Sequence, residues 1–455
     1  MSLRRVLART LLLLAIAASG CGVSGRVFLD ENRNGRYDAG EPGIPRVPIT
    51  DGVNFALTDA DGRYEIHAQL DPLIQPTKMS IVSVSFPSGY WPTAGWFRQI
   101  ERVAEHRHVD FPLRRDEQKL PFVFVHATDA HVPRAGREKF IRFRQEMDRW
   151  GERFPFCIMT GDNVDLADRQ EFRKGQAQYQ FLAEQMKDFP LPLFVIPGNH
   201  DPAGVNAGKG WDRRHPMYGY GFHWKIVGPL RWSFNYAGIH FVGIDFMYRD
   251  GSKWVWGVPD SAVEWLRKDL QRVEPGRRIL LFVHFPKAQS KDAFDAVLRT
   301  HKVEHIFAGH THTVETGTYA GVARTFSGAL SVIFGKKKDL PGYRFVRVTA
   351  KGLSTLYKPT GAEVAVTIDH PRPGGALKPA DTIRGKVFDP DGKVKELTVK
   401  LDGAAAEVTL RRRPVFGQFT ARLAPAAVTA GDHTLEAVAS DGRKTWRCRR
   451  TCRVP

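Results

Sequence analysis

Cysteine is scarce. Four occur in 455 residues, too few and too scattered for a disulfide scaffold. Cys157 lies inside an apolar run, where a free cysteine acts as a small hydrophobe. On a straight strand Cys448 and Cys452 would stand roughly 13 Å apart, beyond disulfide reach, so only a turn in the backbone would let them bridge. Long apolar runs are also missing. The run from Leu11 to Ala18 is too short to span a bilayer, and no other segment looks transmembrane. Acidic residues are under-represented: 49 Asp and Glu stand against 67 Lys and Arg, a formal net charge of +18. That balance favours anionic partners such as phosphorylated substrates, lipid headgroups or nucleic acid without choosing among them. No nucleic-acid-binding signature appears, so a nuclease reading rests on charge alone. The length suggests about three domains.

The N-terminus is more specific. Arg4, Arg5 and Arg9 precede the short apolar run, and Ala18-Ser19-Gly20-Cys21 follows. Small residues before a cysteine read as a processing site. The segment resembles a bacterial lipoprotein signal, residues 1–21, which implies an exported chain held at the cell envelope through lipidated Cys21. Ordinary secretion stays open, because Ala18 is a less usual first residue of that box.

Residues 22–115 read as all-β. The stretch from Asp30 to Glu41 matches a twelve-residue calcium loop, with side-chain oxygens at Asp30, Asn32, Asn34, Asp38 and Glu41 and the turn at Gly35. Pro42 and Pro45 oppose a helix after it, so the flanks are not those of a helical hand. The stretch resembles the calcium-binding B-type repeats of bacterial adhesins, which implies a β-sandwich. Residues 116–358 alternate strand-like and helical patterns, so an α/β core is expected. Phe140, Phe143, Met147 and Trp150 share one helical face, as do Phe172, Tyr179, Leu182 and Met186; both stripes should face a sheet. Ser261 with Glu264 reads as a capping box. Trp232 to Asp245 reads as a hairpin turning at Ala237-Gly238, which makes the sheets mixed. After Lys358 the helices stop, and residues 359–455 read as a second small β-sandwich, immunoglobulin-like. The expected architecture is thus an α/β mixed-sheet core flanked by two small all-β sandwich domains.

In the core, five apolar runs end in polar blocks: Asp129-Ala-His131, Gly161-Asp162, Gly198-Asn199-His200-Asp201, His284, and Gly309-His310-Thr-His312. Strand ends of open α/β sheets aim such residues into a ligand crevice. Carboxylates and imidazoles together suit manganese, iron or zinc. Two adjacent dications need a bridging anion, and Asp162 is placed to be one. An extended backbone would put both side chains of Asp129-x-His131 and of His310-x-His312 on one side.

Five such blocks in this order resemble the calcineurin-like metallophosphoesterases. The resemblance implies two divalent or trivalent transition metals. One takes Asp129, His131, Asp162 and His312; the other takes Asp162, Asn199, His284 and His310. It also implies hydrolysis of a phosphomonoester or phosphodiester by a metal-bridging hydroxide, with His200 protonating the leaving oxygen and Asp201 orienting its ring. Asn163-Val-Asp165 offers no tyrosine ligand, which argues against a purple charge-transfer site. Asp165 either joins the site or only holds its loop.

The insertion Pro202 to Leu230 could form a specificity lid from Trp211, Arg213, Arg214, Tyr218, Tyr220 and Trp224, or could pack on the adjacent β-domain. His126, His215, His223, His240, His301 and His305 read as structural. The substrate would be a phosphorylated small molecule or envelope component. The rival reading is a surface-anchored, adhesin-like binding protein whose core is only a scaffold.

Overall fold

Phenylalanines at alternate positions build the centre of the molecule. In the computed structural model, which describes residues 21–68, 80–100, 107–133, 136–208, 211–331, 340–372 and 374–455, two sheets face each other across them. The expected signal segment before Cys21 lies outside the described residues.

Along the central chain the first elements are β1 (Phe122–Ala127), α1 (Arg137–Trp150), β2 (Cys157–Thr160), α2 (Phe172–Met186), β3 (Leu193–Ile196) and α3 (Gly221–Ile226). Then come β4 (Trp232–Tyr236), β5 (Ile239–Ile244), β6 (Met247–Asp250), β7 (Lys253–Trp256), α4 (Asp260–Leu270), β8 (Arg278–Val283) and α5 (Lys291–Thr300). The last are β9 (His305–Ala308), β10 (Val314–Tyr319), β11 (Val322–Ser327), β12 (Gly342–Thr349) and β13 (Gly352–Pro359). One sheet has the order β3-β2-β1-β12-β13 and the other β4-β5-β8-β9-β11-β10. Strands β1, β2 and β3 are mutually parallel, as are β5, β8, β9 and β11, while the remaining partners are antiparallel.

Side chains alternate across a strand, so each sheet has two apolar faces. Inward go Phe124, Phe156 and Phe194 from one sheet and Phe234, Phe241, Phe282 and Phe307 from the other, none more than 1% exposed. Rings stack directly across the layer, with Phe194 and Phe234 centroids 4.1 Å apart. Burial of each such ring is worth about 1.5–3 kcal/mol. Outward, Val123, Val125, Met159 and Val195 meet Phe140, Phe143, Met147 and Trp150 of α1 and Tyr179 and Leu182 of α2. The second sheet is covered by Trp265 and Leu266 of α4 and Phe294 and Leu298 of α5. The α1 stripe and Tyr179 and Leu182 of the α2 stripe therefore face a sheet, while Phe172 packs on Trp211, His215 and Phe222 of the insertion. The hairpin β4–β5 turns at Ala237 (φ 48°) and Gly238 (φ 79°), the left-handed pair that a two-residue turn requires.

The capping box expected at Ser261 and Glu264 does not form. The N-cap of α4 is Pro259, which makes no side-chain cap. The helix starts at Asp260, so Ser261 lies inside it and cannot cap it; its hydroxyl accepts a hydrogen bond from Arg231, and Glu264 pairs with Arg267. Cys448 and Cys452 are free and lie on one strand, Thr445–Val454; the backbone makes no turn between them that would let them bridge.

Strands flank this core on both sides. The described residues between 21 and 115 form a five-stranded and a four-stranded sheet around Val23, Val27, Ile49, Val82 and Phe111. The C-terminal strands form two four-stranded sheets around Ile368, Val387, Val399, Phe419 and Leu435. A buried ion pair ties the N-terminal sheets to the core: Arg231 binds Asp245 through Nε (2.5 Å) and Nη2 (3.3 Å) and donates through Nη1 to the Gly52 carbonyl. Arg231 and Asp245 are at most 1% exposed. Arg231→Met should therefore cost roughly 3–5 kcal/mol by leaving Asp245 buried without its countercharge. Urea unfolding of the full chain reads this, and a loss below about 1 kcal/mol would contradict it.

Candidate metal centre

The C-terminal ends of β1, β2 and β3 and of β8 and β9 lie at one edge of the sandwich. The loop after each carries a candidate ligand, so the residues come from both sheets. Asp129, His131, Asp162, Asn199 and His284 are at most 2% exposed, while His310 and His312 sit at the rim.

Two groups form. Asp129, His131 and His312 have donor atoms within 4.8 Å of one another, and so do Asp162, His284 and His310. In the first, His312 Nε2 lies 3.1 Å from Asp129 Oδ1 and 3.2 Å from His131 Nε2. In the second, His284 Nε2 lies 3.1 Å from Asn199 Oδ1, 3.2 Å from His310 Nδ1 and 3.3 Å from Asp162 Oδ2. That same Asp162 oxygen is 3.9 Å from His131 Nε2, so one atom faces both groups.

The donor set fits metal ions. Imidazole nitrogens converging at 3.2 Å match the ligand–ligand edge of a shell with metal–nitrogen bonds of roughly 2.0–2.1 Å. The other ring nitrogen of His284 meets the Thr160 carbonyl at 2.8 Å, the outer partner that fixes a ligand's tautomer.

The backbone geometry differs from the extended alternation expected within Asp129-x-His131 and His310-x-His312. Asp129, His131, Asp162, His310 and His312 all have positive φ, between 46° and 69°. Left-handed backbone costs a residue with a Cβ about 1–2 kcal/mol, and such strain concentrates at functional sites. The loops hold one another in it. Asp129 N–H donates to the Gly161 carbonyl, His131 N–H to the Asp162 carbonyl and His310 N–H to Asp129 Oδ2, at 2.9–3.0 Å. Glycine supplies the clearance: a Cβ on Gly309 would stand 1.9 Å from Thr128 Oγ1 and 2.4 Å from Asp129 Oδ2.

Burial and mutual charge divide the protonation states. Burial opposes protonation of His284, but Asp162 overcomes it and raises the pKa to about 9. Burial and then the neighbouring His284 push His310 down to about 4. Burial alone would raise Asp129, yet the hydrogen bond and charge of His312 bring it to about 2.

His200 stands beside the groups, its Nε2 4.0 Å from Asp162 Oδ2. Its orienting partner is not Asp201. His200 Nδ1 meets Asp168 Oδ1 at 2.8 Å, and Asp168 also accepts from Asn206 Nδ2. Asp201 points away, accepting N–H bonds from Asn163, Val164 and Gly198 at 2.6–3.1 Å. Those donors favour its carboxylate form, but burial and then Asp162 outweigh them and press its pKa up to about 7. Adjacency in Gly198-Asn-His-Asp201 suggested the wrong carboxylate. Asp168 follows Leu166, itself at φ 59°, and nothing in its sequence neighbourhood marks it. Burial opposes protonation of His200, but Asp162 and Asp168 raise its pKa above the ordinary histidine value.

The insertion after Asp201 is packing rather than a lid. Tyr218, Tyr220 and Trp224 are at most 8% exposed. Tyr220 and Trp224 join Ile81 of the N-terminal domain in one apolar cluster, and Trp211 donates to the Gln170 carbonyl while stacking edge-on against Phe172. Rings of this size are more stable buried than waiting in solvent. Arg214 is held by Asp212. The exposed ring at the mouth is Trp256 of β7, edge-on to His310 with centroids 5.4 Å apart. His240 and His305 bind Asp269 and Thr325 away from the cluster, while His126 is held between Ser327 and the hydroxyl of Thr160, whose carbonyl meets His284.

In the calcium-loop pattern, Asp30 accepts N–H bonds from Asn34 and Gly35, Glu41 accepts from Glu31 and Asp38, and the amides of Asn32 and Asn34 donate to Asp38.

Residues 122–314, the span holding every one of these loops, match the family model described as calcineurin-like phosphoesterase. The chain belongs to that family. Residues 31–116 match the model of the family's N-terminal domain, so the first β-module accompanies phosphoesterases and need not come from adhesins. Over 173 residues the chain is 25% identical to "Probable glycerophosphodiester phosphodiesterase GpdQ" of Arcobacter nitrofigilis, covering 35% of this chain and 57% of that one. Over 230 residues it is 22% identical to "Serine/threonine-protein phosphatase CPPED1" of Bos taurus, covering 47% and 70%. The alignment thus spans little more than half of the Arcobacter protein. Among solved structures, GAP50 of the Plasmodium inner membrane complex aligns with a TM-score of 0.37 and 17% identity, over 53% of this chain and 86% of that one.

The two carboxylates separate cleanly by substitution. Asp201→Ala should destabilise the fold by roughly 3 kcal/mol or more, because several buried N–H groups lose their acceptor. Asp168→Asn should leave the melting temperature nearly unchanged and lower the His200 pKa, read by NMR titration. An unmoved His200 pKa in Asp168→Asn would contradict the pairing.

Proposed function

We propose that the protein is an exported phosphoesterase with a dinuclear metal centre, acting on a phosphomonoester or phosphodiester of a small molecule or envelope component. The observation that carries this reading is the convergence of seven candidate ligands from five loops, with a single Asp162 oxygen between the two groups. When bound, two such cations would supply an acidic water for attack on phosphorus and positive charge for the phosphoryl oxygens.

The chain's own residues do the rest. Asp162 and Asp129 supply negative charge that holds cations in a buried pocket. His200, whose protonated form Asp162 and Asp168 favour, donates a proton from Nε2 to the leaving oxygen. Asp168 fixes the ring through Nδ1 and is the positioning residue that Asp201 was expected to be. Trp256 offers a flat apolar wall beside His310 for the substrate's body. The glycerophosphodiester relative favours a diester and the protein phosphatase a monoester, so both belong in the assay.

Manganese, iron and zinc all suit the nitrogen and oxygen donors. Calcium in the loop from Asp30 to Glu41 is supported by the pattern of five oxygen-bearing residues; a calcium-free elemental analysis of protein purified with calcium would remove it. Membrane attachment through Cys21 is supported by the basic and apolar pattern before it. The strand Cys21–Leu29 begins at that residue, so the anchored domain would start at the membrane without a spacer. Lipid labelling that persists in Cys21→Ala would contradict the anchor.

The discriminating assay varies the leaving group. With manganese, wild type should hydrolyse an aryl diester or monoester and its alkyl counterpart. His200→Gln should lose about 100-fold or more on the alkyl ester but far less on the aryl ester, whose leaving group needs little protonation. Because the general acid must be protonated, wild-type alkyl ester turnover should fall as pH rises through the elevated His200 pKa. Equal losses on both esters would overturn the assignment of His200.

A further inference from the structure

A cavity of about 590 Å³ opens between the central and C-terminal domains, at the end of the first sheet opposite the metal centre. Pro121 and Phe122 at the start of β1, Arg347 of β12, and Pro390, Arg413 and Pro414 of the C-terminal strands and loops line it. Strand β1 enters the sheet here and leaves it at Ala127, just before Asp129. Its six residues put the cavity roughly 20 Å from the candidate ligands.

The charges of the lining do not balance. Arg153, Arg347 and Arg413 face one carboxylate, Asp389. Asp389 is already committed, accepting from the N–H groups of Lys393 and Val394 and from Arg412. Arg153 is partly satisfied by the Pro390 carbonyl and by Asp391 at 3.8 Å. Arg347 is only 5% exposed. Its Nη2 donates to the carbonyls of Pro414 and Phe416, while its buried Nη1 has no acceptor. No carboxylate among the described residues pairs with Arg347 or with exposed Arg413. Burial, and then the like charge of Arg413, push the Arg347 pKa down to about 10. A buried cation beside a second cation is unfavourable until an anion joins them.

We propose that this cavity is a second, non-catalytic site for an organic phosphate, its phosphate group held between Arg347 and Arg413 and its body against Phe122 and the prolines. Arg347 has only carbonyls and the Phe416 ring against it, so two guanidiniums without a carboxylate of their own match the double negative charge of a phosphate monoester better than a single carboxylate does, and guanidinium binds phosphate bidentately. The volume exceeds what a bare oxyanion fills and falls in the range of small-molecule sites. Such a ligand would touch both domains and pin the C-terminal sandwich to the core. The site does not depend on the chemistry at the metal centre.

The test titrates the full metal-loaded chain by calorimetry with inorganic phosphate, a hexose phosphonate and a nucleoside phosphonate, whose carbon–phosphorus bonds resist hydrolysis. Arg413 is exposed and without a carboxylate partner, so Arg413→Glu and Arg413→Lys should fold with unchanged melting temperature and unchanged kcat/KM on an aryl phosphate. The proposal expects Arg413→Glu to lose one molar equivalent of phosphonate relative to wild type, and Arg413→Lys to keep that equivalent at about tenfold weaker affinity. Equal stoichiometry and affinity in wild type and Arg413→Glu would overturn it. So would an Arg413-dependent site that takes inorganic phosphate but neither phosphonate.

Discussion

A carboxylate oxygen shut away from bulk solvent has to be matched by positive charge. Asp162 Oδ2 sits at the meeting point of two sheets with imidazole nitrogens at 3.3 and 3.9 Å. Asp129 is equally buried, with His312 against it. Burying two carboxylates so close together is unfavourable without cations. Histidines supply part of that charge as protons, at a pKa of about 9 for His284. Bound dications would supply it more completely, and the donor spacing suits them.

Everything around the cluster resists its collapse. The strained left-handed residues at Asp129, His131, Asp162, His310 and His312 persist because each loop hydrogen-bonds to the next and because the strands beneath are locked by the phenylalanine layer. Rigid sheets hold the loops in place, and the loops hold the side chains. Asp201 belongs to this scaffold: it closes the turn that presents His200 without touching the ring.

Much of this was readable in the chain. Continuous apolar runs marked β1, β2, β3, β8 and β9, and the polar residue after each run marked the candidate ligands. Periodicity also placed the faces of α1 and α2, since Phe140 to Trp150 could be buried only against a sheet. What escaped depended on contacts distant in sequence. Asp168 meets His200 across 32 residues, whereas Asp201 is its neighbour in the chain. Ser261 and Glu264 looked like a cap, but the helix begins at Asp260 and leaves Ser261 inside it. The insertion was open between a lid and packing on the adjacent β-domain, because nothing local reveals the apolar surface around Ile81 that buries Tyr220 and Trp224. The left-handed backbone at the ligands was unreadable too, since Asp and His adopt it in only a minority of positions and nothing local marked these.

Anomalous diffraction from crystals of the manganese-loaded full chain tests the shared carboxylate most directly. Two peaks about 3.5–4 Å apart, one on each side of Asp162 and both lost in Asp162→Ala, are the expected result. A single peak, or two that survive the loss of Asp162, would contradict the claim that one carboxylate holds two cations.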